Sequence, residues 1–141
     1  MATSTPLGWH SPIDLTATAT APSVGNLSSL ASSAAAGALD IVYIGATGHV
    51  REITQDGNSW RSADPAFAAG TRPAAAGTTL LLYDLNGAEF VLYEDAHGHL
   101  HQLKGSNGGW QSADLMAMYH GAIAAACSCL VSGDSSNTSN R

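Results

Sequence analysis

Two stretches of this chain spell nearly the same pattern 50 positions apart. The first runs Asp40-Ile-Val-Tyr-Ile-Gly-Ala-Thr-Gly-His-Val-Arg-Glu-Ile53 and continues to Trp60-Arg-Ser-Ala-Asp64. The second runs Phe90-Val-Leu-Tyr-Glu-Asp-Ala-His-Gly-His-Leu-His-Gln-Leu103 and continues to Trp110-Gln-Ser-Ala-Asp114. Tyr43 matches Tyr93, Gly48 matches Gly98, His49 matches His99, Trp60 matches Trp110 and Asp64 matches Asp114. A partial third echo, Gly8-Trp9-His-Ser-Pro-Ile-Asp14-Leu15, resembles Gly109 to Leu115. A fixed period of this size, with short strands inside it, points to a modular β architecture.

Each unit divides into four short strands. In the second, Thr78–Asp84 is an apolar run rich in β-formers, as a buried strand should be. Asn86-Gly87 supplies a tight hairpin turn, Glu89–Glu94 follows, and Ala96-His97-Gly98 turns the chain again. His99–Leu103 alternates polar and apolar residues, the Gly, Ser and Asn of 105–109 form a loop, and Trp110–Leu115 closes the unit. The first unit repeats this with Asp40–Ile44, His49–Thr54 and Ser59–Asp64. Its opening strand falls within Leu27–Ala38, whose Ser and Ala residues would also suit a helix.

The expected fold is therefore all-β, built of four-stranded antiparallel propeller blades. Blade one spans 26–65 and blade two 66–115. Residues 1–25 carry the closing strand of a partial blade and a linker, with Thr16–Ala21 either a strand extension or part of the linker. Residues 116–132 carry an opening strand at Ile123–Val131, and 133–141 form a disordered polar tail. Blades pack face to face around a channel in rings of roughly 4 to 8. Two blades with flanking strands leave faces and edges unprotected, so the chain is expected to complete itself as a homo-oligomer.

Composition narrows the functional classes. The 11 acidic side chains against 5 Lys and Arg, net charge −6, include no basic cluster that could displace counterions from a phosphate backbone. Nucleic acid is excluded as a partner on that ground. No apolar run approaches the roughly 20 residues needed for a membrane span. No basic-then-apolar leader is visible, so the chain is expected in the cytoplasm or exported by a non-classical route. Cys127 and Cys129, two apart on a strand, are poorly placed for an unstrained disulfide. They read as reduced, buried residues, with a redox or metal pair as the alternative. His97, His99 and His101 would share one strand face and could hold zinc, but Gly98 sits in a turn and breaks the alternation. No nucleophile elbow, phosphate loop or zinc-protease motif occurs, so no enzyme activity, cofactor or metal is expected.

The stretches Tyr43 to Ile53 and Tyr93 to Leu103 resemble the blade repeat of the fucose-binding β-propeller lectins and their bacterial relatives. There a Tyr-x-x-x-x-Gly-His-x-x-Glu-Leu strand pair precedes a Trp and an Asp-Leu. The resemblance covers about residues 40 to 115, with the echo at 8 to 15. It implies sugar pockets between adjacent blades, each using an Arg of the second strand, a Glu of the third and an aromatic from the neighbouring blade. Glu52 matches the Glu position and Gln102 stands there in the second unit; the Arg position holds Asp40 and Phe90. Losing that Arg removes a bidentate donor. Trp60 and Trp110 recur once per unit, and a sugar's C–H face packs well on an aromatic ring. Glu52, Trp60, Gln102 and Trp110 are thus the candidate carbohydrate contacts, with inter-blade core packing as the other reading of the tryptophans. The rival to a lectin is a structural or interaction module that binds no sugar.

Overall fold

The computed structural model describes residues 11–119, except 36–37 and 107–108. Trp9, Cys127, Cys129, the strand expected at 123–131 and the tail at 133–141 lie outside the described residues. Within them the chain is all-β, with two four-stranded antiparallel sheets whose strands run in chain order. The first sheet holds β1 (Leu30–Ala35), β2 (Ala38–Ile44), β3 (Val50–Asp56) and β4 (Ser59–Ala63). The second holds β5 (Leu81–Leu85), β6 (Ala88–Glu94), β7 (Leu100–Ser106) and β8 (Gly109–Asp114). One-turn helices α1 (Leu15–Thr18), α2 (Pro65–Ala69) and α3 (Leu115–Tyr119) complete the described elements. None is long and apolar enough to cross a membrane.

The turns follow from residue chemistry. Asn86 and Gly87 both take left-handed backbone, φ 51° and 78°, which gives the two-residue turn whose twist matches the strands it joins. The Ser- and Ala-rich β1 is a strand because β2 offers it a continuous ladder, from Leu30 opposite Tyr43 to Ala35 opposite Ala38. That pairing overrides its helical propensity. The hydroxyl of Ser29 donates to the Thr78 carbonyl (3.0 Å) and accepts from the Leu80 N–H (2.9 Å), which joins the two sheets beside β1 and β5.

The helices correct the sequence reading. Thr16–Ala21 was open between strand extension and linker, yet Leu15–Thr18 turns as α1. The reason recurs at Asp14, Asp64 and Asp114, whose carboxylates accept from the N–H groups of Ala17 (3.0 Å), Phe67 (2.9 Å) and Ala117 (3.0 Å). Each thereby satisfies an orphan donor of the following turn. Pro65 at the start of α2 has its φ preset for a helix. α2 packs against both β3 and β8, and the Ser112 hydroxyl donates to the Ala69 carbonyl (3.2 Å).

Between the sheets lies the main core. Val42, Ile44 and Val50 of the first sheet meet Leu80, Val91, Tyr93 and Leu103, all buried, with Ala66 of α2. A second cluster, Tyr43, Ile53 and Ala19 with Trp60 and Leu15 against it, covers the other face of the first sheet. Tyr43 donates its hydroxyl proton to the Pro22 carbonyl and Tyr93 does the same to Arg72, both at 2.6 Å. Burial pushes the Tyr93 hydroxyl up to about 12, so it stays a donor.

Asp95, 1% exposed, anchors the hairpin after β6. Its carboxylate accepts from the His97 (2.8 Å) and His99 (3.0 Å) N–H groups and pairs with the His101 ring (2.8 Å). Burial works to raise its pKa, but these partners outweigh it and hold Asp95 at about 2. The stability so gained is present above the ordinary carboxylate pKa of about 4 and is lost as pH falls through 2. Asp95→Ala, which strands a buried imidazole, should cost about 3 kcal/mol near neutral pH in urea unfolding. The difference from the parent should shrink toward pH 2.

Leu27 and Thr20 carry positive φ, 59° and 52°, where residues 50 later the chain has Gly77 and Gly70. Leu27 is 75% exposed, so its side chain contributes little to offset the strain. Leu27→Gly should therefore stabilise the protein by up to about 1 kcal/mol. A lower urea midpoint for this variant would contradict that.

Candidate functional site

Alternation along the strands decides what reaches the space between the sheets. Val42 and Ile44 of β2 enter the shared core, which puts Asp40 on the same face, nearer the start of the strand. Val50 of β3 does likewise, which carries Glu52 and Thr54 to that side. From the second sheet Val91 brings Glu89, and Leu103 brings Gly105. The apolar layer thus ends in a polar opening of about 330 Å³ whose walls include Asp40, Glu52, Arg61, Glu89 and Trp110. A recess of about 400 Å³ opens beside it and shares Asp40, Glu89 and Gly105.

Trp110 lies directly opposite Gly105 in the β7–β8 register. Its ring covers the glycine so closely that a Cβ there would come within 2.8 Å of the ring edge. Gly105 is therefore what lets the indole lie down as a cavity wall while also packing on the core.

Asp40, Glu52 and Glu89 each place a carboxylate oxygen within 4.8 Å of the other two. Glu89 Oε1 is shut off from solvent and has no hydrogen-bond partner. Burial, then the Glu52 and Asp40 carboxylates, push Glu89 up to about 10. Burial also raises Glu52, against the pull of the nearby Arg61 guanidinium. Like charges this close cannot all ionise, so Glu89 carries a proton at neutral pH.

The four residues singled out from sequence do not form one site. Glu52 and Trp110 meet across the cavity. Trp60 instead packs with Tyr43 and Ile53 on the opposite face of the first sheet. Gln102 lines a shallow recess of about 100 Å³ with Lys104 and Gln111 on the outward face of the second. Its amide donates to the Tyr83 hydroxyl at 3.5 Å, and Tyr83 stacks on Phe90 with centroids 5.1 Å apart. The three histidines do not converge either: His99 pairs with Asp114 (2.5 Å) and His101 with Asp95. Among the described residues the one group of His, Cys, Asp or Glu close enough to share an ion is Asp40, Glu52 and Glu89. Sequence reasoning missed Glu89, whose counterpart 50 residues earlier is Leu39. No periodic signal marks it; its role depends on how the sheets face one another.

The raised Glu89 gives a stability test. A carboxyl lifted above its unfolded value stabilises most below about pH 4.5, and that contribution drains away as pH rises toward 10. Glu89→Gln keeps the neutral shape at every pH. It should match the parent near pH 4 and exceed it by about 1 kcal/mol at pH 8, allowing for partial exposure. Thermal unfolding at the two pH values reads this directly; equal gains at both would contradict it.

No protein-family model and no curated protein sequence matches this chain. Among solved structures, AofleA from Arthrobotrys oligospora aligns with a TM-score of 0.50 at 21% identity, over 77% of this chain and 32% of that one. The present chain thus spans about a third of AofleA's length, and at this identity what the two share is the fold.

Proposed function

We propose that this protein is a carbohydrate-binding module that holds a sugar in the cavity between its two sheets. The observation that carries the reading is the meeting of Glu52 and Trp110, on different sheets, at one opening. The indole offers a flat apolar wall for a sugar's C–H face, and the carboxylate accepts from its hydroxyls. The resemblance to fucose-binding propeller lectins makes fucose the first sugar to try and each sheet a propeller blade. Arg61, reaching the cavity from β4, brings a guanidinium where the second strand has Asp40 instead.

The 50-residue correspondence extends the proposal to assembly. The outward face of the second sheet, with Phe90 and Gln102, corresponds to the face on which the first sheet carries Asp40 and Glu52. Trp60 on the outward face of the first corresponds to Trp110. Copies stacked head to tail would bring Gln102 of one against Trp60 of the next and cover both faces. Thr79 corresponds to the joining Ser29 and also carries a hydroxyl. The rival, a structural module without a sugar, draws on the core packing of Trp110 and on Phe90 standing where Asp40 does.

A glycan array with fucose-terminated and other sugars, run beside light scattering, tests both parts. Glu52→Ala should lower retention at least about tenfold while leaving thermal stability within about 0.5 kcal/mol of the parent. The parent should scatter as a closed multimer. A well-folded parent that retains no glycan gives the case to the structural module.

A further inference from the structure

We infer that the sugar held between the sheets carries a positive charge, an amino sugar with a free primary amine, an assignment that rests on the carbohydrate-binding reading. The cavity combines three carboxylates from β2, β3 and β6 with a single guanidinium, Arg61, and an indole wall, Trp110. A neutral sugar would leave that excess of negative charge in place, together with the solvent-shielded, unpartnered Glu89 Oε1. An ammonium offers three donors and no acceptor, which suits three acidic oxygens. The spacing fits as well. Oxygens within 4.8 Å of one another, taken as an equilateral triangle, surround a centre about 2.8 Å from each. That is the length of a charge-assisted N–H···O bond, roughly 2.7–2.9 Å. It is longer than the roughly 2.3–2.6 Å of calcium–oxygen bonds, and calcium takes about 6–8 oxygens. The aromatic face of Trp110 adds a favourable surface for a cation and for the sugar ring that bears it. Arg61 remains free to pair with one carboxylate or to donate to a ring hydroxyl.

Isothermal titration at pH 6 with glucosamine, N-acetylglucosamine and fucose separates the possibilities, since acetylation keeps the sugar skeleton and removes the charge. Glucosamine should bind at least about tenfold more tightly than N-acetylglucosamine. Asp40→Asn, checked for fold by circular dichroism, should cut that preference to within about twofold. Equal or tighter binding of N-acetylglucosamine or fucose overturns the charge assignment and leaves the lectin reading standing. A folded protein that binds none of the three overturns both. A one-to-one isotherm with calcium chloride alone also overturns the assignment, because the carboxylates would then hold a metal.

Discussion

The apolar layer shared by the two sheets is what everything else here depends on. Val42, Ile44 and Val50 lock against Val91, Tyr93 and Leu103, and this fixes which strand positions look across the gap. Two residues beyond the core residues on each strand, the same alternation delivers Asp40, Glu52 and Glu89 to a common opening. Core and site are the two ends of one face. A shift of one residue in the pairing of β2 or β6 would turn the site to the outside and remove the core at once.

Local structure was legible wherever the chain's own period set it. The seven strands with clear alternation or apolar runs lie within a few residues of their expected positions, and Asn86-Gly87 turns as its composition dictates. β1 was ambiguous because Ser and Ala carry little strand preference; its partner decided the matter. The one-turn helices went unread although the signal was present. Asp64 followed by Pro65 is a capping residue and a preset first helical position, and Asp14 and Asp114 occupy the same place in their units.

The site was half legible. Glu52 and Trp110 came from the repeated motif, and the structure brings them together. Trp60 and Gln102 share the motif equally, yet they look outward in opposite directions, because a site between sheets needs the front of one and the back of another. Glu89 and Arg61 belong to the opening through sheet-to-sheet placement, which periodicity within one sheet does not encode. The two units have also diverged in how they fill equivalent space. Where the second unit has Asp95 and His101, the first has Gly45 with Arg51 folded over it and paired to Asp64 at 2.6 Å.

The five residues of α2 sit as a wedge between the third strand of one sheet and the last strand of the next. In any larger array of such sheets, the splay from one to the next would be inherited from that wedge. Each residue added to a helix turns its remainder by about 100°. A single insertion there would therefore re-aim the neighbouring sheet and change the curvature of the whole array, while leaving every strand ladder intact.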